Sequence, residues 1–226
     1  SETEGPSGAG AGDPTGDGDG DPLCDGLLPA VVRDFQIAHP DMQYMIGTDK
    51  NIVTPVLGND DKPVYAGNPN TPTTTGVDNF NQWYNDVDGV NMNIPIELQL
   101  EEVMEGFWRY DSSSFFPVDD QGFGNEGNNH NFHFTLEMHT QFTYEGGEIF
   151  GFSGDDDLFV YINGNLAINL GGVHGEQSET VDLDAMADQL GLEIGNQYAL
   201  DFFFAERHTT QSNFHIETTI GCFLPQ

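Results

Sequence analysis

An alternation of apolar and polar residues with a period of two is the feature that most limits how this chain can fold. It is clearest in residues 131–144, NFHFTLEMHTQFTY, and it recurs in residues 93–103, NIPIELQLEEV. In the first run, one face is apolar and the other polar: Phe132, Phe134, Leu136 and Met138 against His133, Thr135, Glu137 and His139. Because a strand points successive side chains to opposite faces, this period indicates half-buried strands.

Turns rich in Gly and Asn separate further predicted strands in the second half of the chain. Residues 145–148, EGGE, reverse the chain, and Asn163-Gly164 is a strong signature of a type I′ hairpin turn. The predicted strands of this half also include 149–153, 158–162, 165–170, 199–206 and 212–220. Helices are predicted only at residues 78–87 and 181–192. This pattern indicates an all-β fold, an antiparallel β-sandwich or barrel with one or two short helices.

The domain organisation follows from a change in composition near the first cysteine. Residues 1–23 are Gly, Asp, Pro, Ser, Thr and Glu with almost nothing apolar, which is typical of a flexible acidic tether. The 17 Phe, 7 Tyr and 2 Trp of the chain argue for a packed core rather than disorder. We therefore expect a single β domain over residues 24–226.

The acidity of the chain limits its partners. Five Lys and Arg residues against 38 Asp and Glu give a formal net charge of −33. Such a surface repels phosphate backbones and anionic lipids, so we expect no nucleic-acid partner. No run reaches the ~18 apolar residues of a membrane helix, so we expect no membrane insertion. The charge attracts divalent cations, although a solvated coat suited to a saline environment explains it more simply.

Cys24 and Cys222 are the only cysteines of the chain. Two isolated cysteines make a poor zinc site and a plausible disulfide, and two unpaired thiols are the alternative. A disulfide would imply an oxidising, extracellular setting.

Three consecutive aspartates, residues 155–157, precede an apolar strand in the segment GDDDLFVYING. Adjacent carboxylates repel, and a desolvated anion is costly unless a positive group compensates it. A bound cation is the obvious candidate. The alternative is that the three carboxylates simply solvate the entrance of the strand.

Two long segments of this half carry a family resemblance. GDDDLFVYINGNLAINLGGVHG (154–175) and VDLDAMADQLGLEIGNQYALDFFFAERHTTQSNFHIETTI (181–220) closely resemble the fibro-slime family, a branch of the PA14-like domains. Earlier segments match as well, so the resemblance covers about residues 31–220. It implies a β-sandwich or barrel of the kind found in adhesins, toxins and glycosidases. In the adhesin members, two aspartates joined by a cis peptide hold a calcium ion that coordinates sugar hydroxyls.

The resemblance also implies a set of site residues. Asp155 and Asp156 align with the calcium-binding aspartate pair, and Glu206 stands where the adhesins place an Asn ligand at the end of a later strand. A carboxylate suits calcium, since hard cations take oxygen ligands of either kind. Arg207 and His208 are expected to line the ligand mouth or anchor its loop. His174, which follows Gly-Gly as in PA14 relatives, is a further candidate contact. Apart from the resemblance, Trp83 and Trp108 are the rings best suited to stacking on a sugar face, although tryptophans buried in the core are commoner.

Three functional hypotheses follow from these residues. The first is a secreted, calcium-dependent carbohydrate-binding or adhesion module whose partner is a polysaccharide or cell-surface glycan. The second is a structural protein of an extracellular matrix or slime, with calcium for stability only. The third is a metal-dependent glycan-active enzyme using His139, His174 and His208, brought together by the fold.

A noncatalytic domain is favoured over the enzyme. The chain contains no Gly-x-Ser-x-Gly, HExxH, phosphate-loop or dinucleotide motif. His133 and His139 lie roughly 20 Å apart on one strand, too far to share an ion. The sequence does not name the sugar, because specificity resides in loops such as 111–131 and 207–213.

Overall fold

The computed structural model describes residues 24–226. The main elements of this part are two antiparallel sheets. The strands of the larger sheet are β1 (Leu27–Phe35), β3 (Asn91–Gln99), β6 (Phe134–Thr143), β8 (Asp157–Ile162), β9 (Asn165–Leu170), β12 (Gln197–Glu206) and β14 (Leu224–Pro225). Their order is β3-β1-β6-β12-β8-β9, with β14 paired to β6.

The smaller sheet has five strands, and there is also a separate two-stranded ribbon. The five are β4 (Glu101–Met104), β5 (Phe107–Ser112), β7 (Ile149–Gly154), β11 (Gln177–Asp182) and β13 (Phe214–Thr218), in the order β11-β7-β13-β5-β4. The ribbon pairs β2 (Gly47–Thr48) with β10 (Gly172–Val173). The main core contains residues of both sheets, so the predicted all-β antiparallel sandwich is confirmed.

The strand β6 shows how the alternating sequence builds this core. Phe134, Leu136 and Met138 are buried in the main core, as the period-two pattern predicts. The opposite face is also covered, because a second cluster packs against the outside of the larger sheet. That cluster contains Ile52, Val53, Tyr65, Phe80, Trp83, Tyr84, Phe159, Tyr161, Phe203 and Ala205. Thr135 and Glu137, polar residues of β6, are consequently buried too, with Glu137 only 6% exposed.

The two helices differ in how well the sequence predicts them. Helix α2 (Leu183–Leu190) begins after Asp182, whose side chain accepts a hydrogen bond from the Ala185 amide at 3.0 Å. It ends at Gly191 in the left-handed region, φ 69°, where glycine is favoured. Helix α1 (Val77–Phe80) has four residues, so the helix predicted over 78–87 is present but ends seven residues earlier than expected. Neither helix is long and apolar enough to span a membrane.

Two local predictions are confirmed. A disulfide joins Cys24 and Cys222, with an S–S distance of 2.02 Å. Asn163 and Gly164 have φ of 50° and 71°, both positive, as a type I′ turn between β8 and β9 requires. Residues 1–23, predicted to be a tether, lie outside the described residues.

Candidate functional site

The aspartate run lies where β7 passes into β8, at one end of the sandwich. Asp157 pairs with Ala205 across the larger sheet, which places Glu206, the last residue of β12, beside the run. The loop after β12 and the segment around β10 come to the same end. The fold therefore brings together Asp155, Asp156 and Glu206.

Each of the three aspartates holds the backbone of another segment. Asp155 accepts hydrogen bonds from the amide and the side chain of Asn213, at 2.5 and 3.1 Å. Asp156 accepts from the amides of His174 and Arg207, at 3.1 and 3.0 Å. Asp157 accepts from the amide of Gly172 at 2.6 Å. The run thus ties the loop 207–213 and the segment 171–175 to the strand.

Arg207 is the positive group that compensates part of this charge. Its Nε donates to Asp157 at 2.6 Å, and both side chains are fully buried, while Asp157 also accepts from the Gly172 amide at 2.6 Å. The guanidinium lies over the Trp83 ring, 4.7 Å from its centroid. Of the two roles expected for Arg207, lining the ligand mouth is wrong because its side chain has no exposed surface, which leaves the anchoring of its loop. Trp83 is fully buried as well, so it cannot stack on a sugar.

Negative charge remains after Arg207 is paired. Burial raises the pKa of Asp156 to about 7; the Arg207 charge lowers it, whereas the neighbouring aspartates add to the increase. Burial, with the charges of Asp156 and Asp155, holds the pKa of Glu206 well above its usual range, although hydrogen bonds from the Ser212 side chain and the His208 amide lower it. Within residues 24–226, the buried Glu206 Oε2 has no hydrogen-bond partner. An orphaned buried carboxylate oxygen is costly and indicates a missing ligand or proton.

A small pocket of about 110 Å³, which we call the acidic pocket, opens above this cluster. Its lining residues are Ile46, Asp155, Asp156, Val173, His174, Gly175, His208, Thr210 and Gln211. His174 is held by the backbone, with its Nδ1 2.9 Å from the Gly175 carbonyl oxygen and its Nε2 3.0 Å from that of Leu170. His208 is half-buried at the pocket, where the resemblance placed it.

A larger pocket of about 580 Å³, the amide pocket, shares Thr210 and Gln211 with the acidic pocket. Its remaining lining residues are Ser113, Ser114, Phe116, Gly127, Asn128, Asn129, His130, Phe132, Thr209, Ser212 and Asn213. The rings of Phe116 and His130 stack at 3.9 Å. No Lys or Arg lines it in the described part of the chain. The loop 111–131 is expected from the sequence to carry specificity, and its run NEGNNHN is a signal for these particular residues.

The side chains of the site offer the oxygen ligands that calcium prefers, but their present positions do not form a metal site. Carboxylate oxygens are the ligands that Ca²⁺ prefers, and Glu206 Oε2 lacks another partner. Within the described residues, however, no three Asp, Glu, His or Cys side chains are placed to hold a metal ion. The implied cis peptide between Asp155 and Asp156 is also not found, since Asn68–Pro69 is the one cis bond in residues 24–226. The carboxylates of Asp155 and Asp156 accept hydrogen bonds from backbone amides instead, and they would have to rotate away from these amides to bind an ion.

Two other predicted contacts lie away from this cluster. Trp108 is half-buried against the main core and pairs with Thr218 on β13. The end of β13 nearest the aspartates is Phe214, which pairs with Gly154. Four residues of strand, about 13 Å, separate the two positions, so Trp108 does not line the acidic pocket.

His139 is not joined with His174 or His208, which removes the geometry that the enzyme hypothesis required. Its Nδ1 lies 2.7 Å from Asp201 and its Nε2 lies 2.8 Å from Glu137. Burial lowers the pKa of His139, but the hydrogen bonds to these two carboxylates outweigh burial and raise it to about 9. The ring is therefore a charged member of an ion network on the outer face of the larger sheet.

Comparison with known proteins identifies a family. The model of the PA14 domain matches residues 99–222. Among curated proteins, psiC of Dictyostelium discoideum is 40% identical over 209 residues, and psiD of the same organism is 42% identical over 205. These alignments include 85% and 84% of this chain but only 39% of either relative, so the chain spans about two fifths of their length.

Similarity to solved structures is weaker. The PA14 sugar-binding domain from an RTX adhesin is 10% identical, with a TM-score of 0.38, over 84% of this chain and 89% of that one. The Epithelial Adhesin 9 A domain of Candida glabrata, solved in complex with Galb1-3GlcNAc, is 11% identical, with a TM-score of 0.36, over 84% and 81%. Scores this low do not support a functional assignment.

Proposed function

Because this chain belongs to the PA14 domain family, we propose that it is a carbohydrate-binding module that recognises glycan hydroxyls through a bound Ca²⁺. The observation that carries the proposal is the orphaned Oε2 of Glu206, buried beside Asp155 and Asp156. Arg207, whose charge lowers the pKa of Asp156, is already paired with Asp157, so three further buried carboxyls beside it are costly. A divalent cation with oxygen ligands removes that cost.

The division of roles among the carboxylates follows from their partners. Arg207 neutralises Asp157, which stays on the Gly172 amide and keeps the end of β8 fixed. Asp155, Asp156 and Glu206 are the residues that would hold calcium. If calcium were bound by these residues, it would offer coordination positions that vicinal hydroxyls could fill in place of water, since both are neutral oxygen ligands.

The two pockets suggest how a glycan is accommodated. At about 110 Å³, the acidic pocket has room for only a few hydroxyl-sized groups, because a water molecule occupies roughly 30 Å³. The amide pocket is about 580 Å³ and offers side-chain amides and hydroxyls such as those of Asn128, Asn129 and Gln211. These groups donate and accept hydrogen bonds with further sugar hydroxyls. The lining carries no Lys or Arg among the described residues, which favours a neutral glycan.

The setting proposed for this module is the cell surface or the extracellular space. The Cys24–Cys222 disulfide supports it, because such bonds persist in oxidising compartments. Exchange of water for similar oxygens gives modest affinity, in the millimolar to micromolar range of roughly 4 to 8 kcal/mol. Several copies on one surface would add avidity, which suits adhesion.

The direct test is binding of a glycan panel in calcium and in excess chelator, with wild type, Asp155→Asn and the exposed control Glu101→Gln. The proposal expects binding by wild type and Glu101→Gln in calcium only, and none by Asp155→Asn. Sugar binding that survives complete calcium removal contradicts the mechanism.

A structural role is the second candidate, favoured by the backbone amides that all three aspartates already hold. In this case calcium raises the melting temperature, yet no glycan of the panel binds. The chain would then act as a structural part of an extracellular matrix.

A further inference from the structure

Three consecutive exposed apolar residues lead to the acidic pocket, and the last of them, Ile46, lines it. Tyr44, Met45 and Ile46 are 36%, 59% and 69% exposed, in a chain whose formal charge is −33. Ile46 is itself part of the pocket lining, together with Asp155 and Asp156. We call residues 44–46 the apolar rim. Single exposed apolar residues are common on protein surfaces, but a contiguous group beside a polar pocket marks a binding surface.

The apolar rim is fixed at both ends. Before it, the Gln43 amide donates to the Arg207 carbonyl oxygen at 2.9 Å, and Gln43 has φ of 54°. After it, Ile46 forms a bridge with Val173, and β2 pairs with β10. The two anchors are the residues next to Glu206 and His174. The rim is thus held rigidly relative to the carboxylates, so little conformational entropy is lost when a ligand covers it.

A sugar ring is the ligand whose chemistry matches both surfaces. A pyranose carries hydroxyls around its edge and C–H groups on a face, so it needs polar partners on one side and an apolar partner on another. The carboxylates and amides of the two pockets serve the hydroxyls. Among the lining residues of the acidic pocket, Ile46 and Val173 are the apolar side chains, and only Ile46 is substantially exposed.

We infer that the apolar rim packs against the C–H face of the pyranose ring whose hydroxyls enter the acidic pocket, an inference that rests on the proposed function. Covering Met45 and Ile46 removes apolar surface from water, which adds affinity without any new polar contact. The rim then selects sugars that present an uninterrupted C–H face when their vicinal hydroxyls point to the carboxylates. It acts on sugar affinity and not on the cation.

The experiment uses the double variant Met45→Ser/Ile46→Ser and a matched control, Met104→Ser/Ile194→Ser. The control residues are equally exposed, at 66% and 70%, and do not line either pocket. Methyl glycosides of galactose, mannose, glucose and N-acetylglucosamine are titrated by calorimetry in calcium, alongside a calcium titration. For every glycoside that binds wild type, the rim variant is expected to raise Kd about tenfold, and the control less than twofold. The calcium midpoint is expected to stay unchanged.

The possible outcomes separate this inference from the proposed function. A rim variant that binds sugar within twofold of wild type overturns the inference and leaves calcium-dependent binding intact. Sugar binding that persists in chelator but weakens in the rim variant supports the rim and overturns the calcium mechanism. Wild type that binds none of the glycosides overturns the inference. If the double variant melts below the assay temperature, Ile46→Ala alone replaces it, with an expected threefold rise in Kd.

Discussion

At the scale of single residues, the three adjacent aspartates are stabilised by different partners. Asp157 has a fully buried partner in Arg207, while Asp155 and Asp156 hold backbone amides. Arg207 lies directly after Glu206, so the same strand end supplies both a counter-ion and an orphaned carboxylate. These two neighbouring residues therefore have different roles. A change of Arg207 is expected to affect stability, whereas a change of Glu206 is expected to affect ligand binding.

Replacement of Arg207 by Met is expected to destabilise the fold by about 3–5 kcal/mol, because it leaves Asp157 buried without a counter-charge. The measurement is the free energy of unfolding in urea. Arg109→Met is the matched control, because the ion pair of Arg109 with Glu217 is exposed, at 42% and 48%, and contributes about 0–1 kcal/mol. The double change Arg207→Met/Asp157→Asn should recover part of the loss. Equal effects of the two arginine variants would contradict the role given to Arg207.

The network around His139 predicts a pH dependence with a defined sign. The pKa of His139 is raised from 6.5 to about 9, so its contribution to stability is complete below pH 6.5 and is lost as pH rises through about 9. Hydrogen bonds from His139 and Lys62, which outweigh burial, lower the pKa of Glu137 from 4.5 to about 2. Its contribution is present above pH 4.5 and is lost as pH falls through about 2.

The corresponding measurement is the melting temperature between pH 6.5 and 9.5 for wild type and His139→Gln. Wild type is expected to lose stability across this window, whereas the variant, which cannot titrate at this position, should show a flatter profile. Parallel profiles for the two proteins would show that His139 is not charged between Asp201 and Glu137.

At the scale of elements, the short ribbon of β2 and β10 positions both the carboxylates and the apolar rim. Its closest approach is at Gly172, where φ is 111° and a Cβ atom would lie 2.1 Å from the Gly47 carbonyl oxygen. Only glycine is tolerated in this conformation at this distance. The amide of Gly172 also donates to Asp157, so the ribbon and the aspartate run are linked through one residue.

Gly172→Ala is expected to lower the free energy of unfolding by more than about 1 kcal/mol, since the new side chain meets backbone and the conformation disfavours it. Gly175→Ala serves as the control, because nothing lies within 4 Å of the position of its Cβ. Chemical unfolding of both variants gives the comparison. A Gly172→Ala protein as stable as Gly175→Ala would contradict the close packing of the ribbon.

The elements also show what the sequence could and could not predict. The period of two in β6 and the Asn163-Gly164 turn are local signals, and both gave the correct structure. The helix expected over 78–87 ends at Phe80, and Trp83 and Tyr84 beyond its end pack with Phe80 in the cluster outside the larger sheet. The packing of Trp83 and Tyr84 in this cluster is a tertiary contact, and no local pattern in residues 36–90 predicts it.

The same distinction holds for the site. The aspartate run was visible in the sequence, but the burial of Arg207 was not, because a charged residue beside a glutamate at a strand end is ordinarily exposed. The apolar rim, residues 44–46, was missed, and the loop 111–131 was named without the residues of the amide pocket, because these segments are distant in sequence from the aspartates. Only the fold brings them to the loop 207–213.

At the scale of the whole molecule, the disulfide closes almost the entire described chain into one loop. Cys24 and Cys222 are 198 residues apart, and closure of so long a loop stabilises the fold by up to about 5 kcal/mol in the chain-entropy model. The double variant Cys24→Ser/Cys222→Ser should therefore unfold at a clearly lower guanidinium concentration. Addition of reductant should shift the wild type to the same midpoint and leave the variant unchanged. A variant as stable as the oxidised wild type would contradict this role.

The acidity of the whole chain sets the conditions for the central test. With a formal charge of −33, calcium collects weakly on many surface carboxylates, so a specific site must be distinguished from this background. Glu206 is 1% exposed, whereas Glu101 lies exposed on β4. Replacement of either carboxylate by an amide removes the same formal charge, and only Glu206 belongs to the proposed site.

The measurement is a calorimetric calcium titration of chelator-treated wild type, Glu206→Gln and Glu101→Gln, in about 150 mM salt, which screens diffuse binding. We predict one tight site per chain in wild type and in Glu101→Gln, and only the weak background in Glu206→Gln. A wild-type titration without a stoichiometric site, or an unchanged site in Glu206→Gln, would contradict the account.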